Sequence, residues 1–191
     1  MPNPVSIQRN DILGAVLCGG KSTRFGSPKA FYEFEGRTLV ERALRVLGSL
    51  VSDVALAIGD SDSKAWPDVS LVRDRIAAIG PMGGIHALLH EMGHEWLLVL
   101  PVDVPFMTTD ALSSLSDEAH EGDEAVIAID SAERLHPLCG LYHRSMLPAC
   151  EGAISRKEYG LTRLLTGMNN VRYVTLPDEC LRNVNRPEDL P

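Results

Sequence analysis

Residues 17–29 read L-C-G-G-K-S-T-R-F-G-S-P-K and follow directly on the apolar run Ile12-Leu13-Gly14-Ala15-Val16. The stretch holds three cations, Lys21, Arg24 and Lys29, and no acid. Gly19, Gly20 and Gly26 have no Cβ, so backbone N–H groups there can approach phosphate oxygens. The cations add charge-assisted hydrogen bonds to the same anion. This is the chemistry of a phosphate cradle between a strand and a helix, and it places nucleotide binding in the first such turn. The spacing matches neither G-x-x-x-x-G-K-[ST] nor G-x-G-x-x-G, which excludes the P-loop and the ordinary dinucleotide fingerprint. The bland alternative is a glycine turn with solvated cations.

Asp103 is the most consequential carboxylate. It lies in P-V-D-V-P-F, just past the apolar run Trp96-Leu97-Leu98-Val99-Leu100, and two prolines restrict its loop. A hard dication such as Mg²⁺ takes oxygens from one or two carboxylates plus phosphates and keeps several waters, and Asp103 suits that role. The competing reading is a turn-forming Asp before proline. Asp74 follows Leu71-Val72-Arg73 at a second strand tip, where an exposed aspartate paired with Arg73 or Arg75 is the alternative. Cys18 sits inside the loop as a small space-filler rather than a nucleophile. His136 precedes a proline, a context in which a lone histidine is more often structural than ligand-binding.

These residues need a scaffold that brings strand ends together. Ile12 to Leu17 reads as a strand. Thr38 to Leu50 repeats its apolar residues at helical spacing, Val51 to Ile58 is β-rich, and Val69 to Val72 is a short strand. Gly80-Pro81-Met82-Gly83-Gly84 opens a helix from about Ile85 to Met92. Glu95 to Leu100 is then a buried central strand. A helix follows over 111–119, with Thr108 or Thr109 as its cap. Glu124 to Ile129 and Pro137 to Tyr142 are expected to pair as an antiparallel ribbon. Helices over 144–153 and 161–165 and a last strand over 171–176 complete the chain. The βαβ order without tandem hairpins predicts an α/β, mostly parallel sheet with helices on its faces. In such sheets ligands gather outside the carboxyl ends of the strands, so Asp103 and the loop after the first strand should face one crevice.

At 191 residues, with 45% apolar and 23% charged residues, the chain suits one domain spanning 1–191 with a full core. A net charge of −8 disfavours nonspecific binding to nucleic acid or an anionic membrane, and makes the positive loop a local exception. No segment reaches the roughly 20 apolar residues of a membrane span, and residues 1–10 lack the apolar core of a signal peptide, so a cytoplasmic protein is expected. Cys18, Cys139, Cys150 and Cys180 are widely spaced, which points to reduced thiols and away from zinc.

The loop resembles the L-x-G-G-x-S-x-R-x-G-x-x-K signature of the nucleotidyltransferases related to molybdenum cofactor guanylyltransferase. Further elements follow in that family's order: R-D at 73–74, G-P-M-G-G at 80–84, D-x-P-F at 103–106, H-P at 136–137 and N-V-N-x-P-E-D at 183–189. The likeness spans residues 12–190. It implies a three-layer α/β/α, Rossmann-like nucleotidyltransferase fold with a small antiparallel addition. It also implies transfer of GMP from GTP to molybdenum-molybdopterin, with release of pyrophosphate and Mg²⁺ as cofactor. By the same resemblance Lys29 and Arg24 serve the phosphates, and Leu17, Cys18, Gly19 and Gly20 serve base and phosphate. Asp74 and Gly83 lie by the guanosine, Asp103 binds nucleotide and metal, and His136, Asn183 and Asn185 are candidate pterin contacts. Transient contact with a molybdenum-insertion protein and with apo-molybdoenzymes is implied as well.

The Gly19-Gly20 pair favours the guanylyl branch over the cytidylyl one. Cys18, Phe25, Pro28 and Val102 depart from the usual alanine, methionine, aspartate and cysteine. Pro28-Lys29 is similar to sugar and alditol nucleotidyltransferases, which keeps a cytidylyl- or sugar-1-phosphate nucleotidyltransferase open as an alternative. A noncatalytic GTP- or cofactor-binding delivery protein is the alternative of another class.

Overall fold

The computed structural model describes residues 7–19, 29–59, 66 and 68–191. A seven-stranded sheet carries the fold. Its strands are β1 (Ile12–Leu17), β4 (Asp53–Ala57), β5 (Ser70–Val72), β6 (Trp96–Pro101), β7 (Ala125–Ile129), β8 (Leu135–His143) and β9 (Val171–Thr175). They lie in the order β5-β4-β1-β6-β8-β7-β9. Every pairing is parallel except the two made by β8, which runs against β6 and β7. The expected antiparallel pairing of the 124–129 and 137–142 segments therefore forms, with β8 lying inside the sheet between β6 and β7.

Among the described residues five helices cover the sheet: α1 (Leu39–Leu50), α2 (Pro81–Glu91), α3 (Thr109–Asp117), α4 (Leu147–Ser155) and α5 (Leu161–Thr166). Side chains alternate across a strand, so each strand feeds both faces. Ile12, Val16, Leu56, Leu98 and Leu100 pack with Leu39, Val40, Ala43 and Leu47 of α1 and Leu112 and Leu115 of α3. On the other face Ala15, Leu17, Ala57, Leu97 and Val99 pack with Met82, Ile85 and Leu88 of α2, Cys150 of α4 and Leu165 of α5. All six residues of β6 are buried, as a strand covered on both faces requires.

Local chemistry sets the helix starts. Thr38 caps α1 by accepting from the Glu41 N–H, and Glu41 reaches back to the Thr38 N–H at 2.8 Å, a capping box. Thr108 caps α3 through the Ala111 N–H. The start of α2 differs from the sequence expectation. The helix begins at Pro81, not near Ile85, because proline's fixed φ suits the first helical position, and Gly80 at φ 66° turns the chain into it. The G-P-M-G-G segment is thus largely the first turn of the helix. A small hairpin of β2 (Glu33–Phe34) and β3 (Arg37–Thr38), turning through Glu35 and Gly36 at positive φ, was not expected from the sequence. Among the described residues no helix is long and apolar enough to cross a membrane.

Candidate active site at the carboxyl end of the sheet

Parallel strands end at one edge, and the candidate residues hang from those ends. Leu17 closes β1, and Cys18 and Gly19 follow it. Asp74 lies two residues past β5 and Asp103 two past β6. Because β8 runs backwards, its beginning, with His136, lies at the same edge. The backbone ties these ends together. The Cys18 N–H donates to the Ala57 carbonyl at 2.9 Å, and the Val102 N–H to the Leu17 carbonyl at 3.1 Å.

Lys29 and Asp103, 74 positions apart, meet here, with Lys29 Nζ 3.4 Å from Asp103 Oδ2. Lys29 lies in a short 3₁₀ turn and is only 9% exposed, while the Asp103 side chain keeps 29% of its surface. A buried ammonium needs a counter-charge, and Asp103 supplies it. Yet 3.4 Å is longer than the 2.7–2.9 Å or so of a tight charge-assisted bond, so the pair is not closed on itself. The Asp103 carbonyl in turn accepts from the Val184 N–H at 2.8 Å, which docks the C-terminal segment against this loop.

Asp74 sits over the start of α2. A Cβ placed on Gly83 would stand 2.8 Å from Asp74 Oδ2 and 3.2 Å from the Ile76 carbonyl, so only glycine lets the carboxylate lie against the helix there. A carboxylate in that position is favoured by the helix dipole. His136 Nε2 is 3.3 Å from Asp130 Oδ2. Asp130 itself accepts from the Ala132 and Arg134 N–H groups at 3.0 and 2.9 Å. The Arg134 backbone bond first, with the His136 and Ala132 bonds, holds Asp130 below the usual carboxylate range. The imidazole is thus oriented by a fixed acid.

Asn183 and Asn185 are exposed in the C-terminal segment, whose turn is locked by Asp189. The Asp189 carboxylate accepts from the Asn185 and Arg186 N–H groups at 2.7 and 2.8 Å. Those two bonds, together with the charges of Arg186 and Lys29, lower its pKa. Cys18 is buried, and burial pushes its thiol up to about 12, so it stays protonated and fills space. Gly20 and Arg24, with Lys21, Ser22 and Gly26, lie outside the described residues.

The structure therefore gathers Leu17, Cys18, Gly19, Lys29, Asp74, Gly83, Asp103, His136, Asn183 and Asn185 at one end of the sheet. The sequence reading missed the direct Lys29–Asp103 contact, the Asp130 that orients His136, and the Asp189 cap. The last had a local signal, an acid following N-x-N-x-P. The first had none, since nothing in the chain's spacing reports a contact across 74 positions.

The chain as a whole matches a known family. The MobA-like NTP transferase domain matches residues 14–172, and the chain belongs to that family. Membership makes it a nucleotidyltransferase. A protein of Geobacillus sp. (strain WCH70) named "Probable molybdenum cofactor guanylyltransferase" is 33% identical over 94% of this chain and 96% of its own length. Two crystal structures share the fold. One from Aquifex aeolicus VF5 has a TM-score of 0.77 at 26% identity, covering 94% of this chain and 95% of that one. The other, molybdopterin-guanine dinucleotide biosynthesis protein A from Archaeoglobus fulgidus, has a TM-score of 0.72 at 26% identity and covers 93% and 94%.

Proposed function

We propose that this protein transfers GMP from GTP to molybdenum-molybdopterin in the cytoplasm. The convergence of Lys29 and Asp103 at the strand ends carries the reading, because it sets one cation and one hard-oxygen acid where a nucleotide's phosphates would lie. An oxygen of the acceptor's terminal phosphate attacks the α-phosphorus of GTP. The bond to the bridging oxygen of the β-phosphate breaks, and pyrophosphate leaves with the electron pair. The nucleophile is already an anion, so no general base is required. Catalysis then rests on positioning and on stabilising the charge that builds on the leaving phosphates.

Lys29, and Arg24 of the same loop, serve those phosphates. Leu17, Cys18, Gly19 and Gly20 present backbone to base and phosphate, and Asp74 with Gly83 bounds the guanosine side. His136, Asn183 and Asn185 face the pterin. Among the described residues no group of three or more His, Cys, Asp or Glu gathers to form a metal cage. That fits Mg²⁺, which takes one or two carboxylates and draws its remaining ligands from phosphate and water. Asp103 would hold it, and the bound ion would offset phosphate charge. Transient contact with a molybdenum-insertion protein and with apo-molybdoenzymes completes the reading.

The test is Mg²⁺-dependent pyrophosphate release with GTP or CTP, each with and without molybdenum-loaded molybdopterin. Release with GTP and the pterin together is expected. Release with CTP instead would move the protein to the cytidylyl branch. Absence of release with either would overturn the reading in favour of a sugar phosphate acceptor or a binding role.

A further inference from the structure

Two arginines are held against one pair of aromatic rings beside the site. Phe34 of β2 and Phe106 meet edge to face, with ring centroids 5.9 Å apart. Arg42 of α1 lies over Phe34 at 4.8 Å, and Arg182 lies over Phe106 at 4.0 Å. Their charges are satisfied differently. Arg42 Nη1 is 3.1 Å from Glu35 Oε2 and donates to the Phe34 carbonyl at 3.3 Å. Arg182 is exposed, and among the described residues its guanidinium pairs with no carboxylate. A guanidinium held over a ring face is restrained in position and still has edge N–H donors that can take a bidentate anion.

Its place gives that open edge a use. Phe106 is three residues beyond Asp103 in the same loop, and Arg182 directly precedes Asn183. The Val184 N–H bond to the Asp103 carbonyl, 2.8 Å long, fastens the Arg182 segment to the loop that bears Asp103. On the nucleotidyl-transfer reading, two phosphate-bearing substrates must meet at this end of a chain whose net charge is −8. Their mutual repulsion calls for a cation distinct from Lys29, which that reading assigns to the nucleotide. We propose that Arg182, shelved on Phe106, binds the phosphate monoester of the acceptor.

The inference rests on the function proposed above, and its test separates the two. Pyrophosphate release is followed for wild type, Arg182→Gln, Arg182→Lys and Phe106→Leu, first varying molybdenum-loaded molybdopterin at saturating GTP and then varying GTP. Losing a charge-assisted contact predicts an acceptor KM raised roughly 10- to 100-fold in Arg182→Gln, with the GTP KM within about twofold of wild type. Arg182→Lys, which keeps charge without the flat fork, recovers part of the loss. Phe106→Leu, which removes the shelf alone, loses less than Arg182→Gln. An active wild type whose acceptor KM is unmoved in Arg182→Gln, or whose two KM values rise together, overturns the assignment and leaves the function standing. An inactive wild type removes both.

Discussion

The two ends of the sheet handle charge in opposite ways. At the amino end, Arg172 grips Asp123 through two bonds, Nε to Oδ2 at 2.7 Å and Nη2 to Oδ1 at 3.2 Å, and the same carboxylate accepts the His120 N–H at 2.9 Å. His94 and Asp53 close a second pair there at 3.0 Å. An open cavity of about 330 Å³ lies at that end, lined by Glu121, Asp123, Asn170 and Arg172 among others. At the carboxyl end Lys29 and Asp103 stand 3.4 Å apart, and Arg182, on an aromatic shelf, has no carboxylate partner among the described residues. The cavity is the more conspicuous feature, but its Asp123 and Arg172 are already paired with each other. The carboxyl end holds Lys29 and Asp103 in position at a longer distance than the amino-end pairs. The function proposed above places substrate binding at the carboxyl end.

The contrast can be broken most directly at Lys29. Lys29→Ala removes a donor to developing phosphate charge and leaves Asp103 without its cation, so turnover should fall roughly 10²-fold or more. Unchanged pyrophosphate release would remove Lys29 from the chemistry and return the pair to a purely structural role. Asp103→Asn keeps the shape and removes the charge, and the Mg²⁺ titration of activity should shift to higher concentration. A superimposable titration would reject Asp103 as the metal ligand. Gly83→Ala drives a methyl group against the Asp74 carboxylate, and GTP affinity measured by calorimetry should weaken about tenfold, the effect of disturbing one charge-assisted hydrogen bond. Retained affinity would show that Asp74 moves aside freely.

The amino end supplies the converse. Arg172→Ala should leave turnover intact and lower the melting temperature by about 2–4 °C, the scale of about 1 kcal/mol from a partly exposed ion pair in a chain of this size. Loss of activity in that variant would undo the comparison. The smallest effect concerns His86 of α2, which is 5% exposed, its buried Nδ1 having no hydrogen-bond partner among the described residues. Burial first, against the charge of Glu151 and with those of His90 and Arg75, lowers its pKa below the ordinary 6.5. A depressed pKa contributes stability above the unfolded value, and that contribution is lost as pH falls through and below about 6.5. His86→Leu should flatten the melting temperature over that range, and an equal acid slope in the variant would exonerate the histidine.

Most of the architecture was legible because its signals are local. The apolar period of Leu39 to Leu50, the unbroken run of β6 and the Thr38 and Thr108 caps each depend on neighbours within a few residues. The α2 start was misplaced because two glycines lower helix propensity, while Pro81 and the packing of Met82 against the sheet override them. The β2–β3 hairpin escaped because two-residue strands carry no period. The antiparallel β7–β8 pairing was legible, but not that β8 lies between β6 and β7, since strand order is a matter of long-range packing.

The site divides along the same line. The sequence by itself determined the chemical parts, because residue type and close spacing are local properties: glycines and cations after β1, Asp103 between prolines, a family signature read in order. Only the tertiary structure decided which parts meet. It set Lys29 against Asp103, laid Asp74 over Gly83, used Asp189 to lock the turn of Asn185, and stacked Arg182 on Phe106. The first and last of those contacts join residues far apart in the chain, and they exist because parallel strands deliver their ends, and one reversed strand its beginning, to a single edge of the sheet.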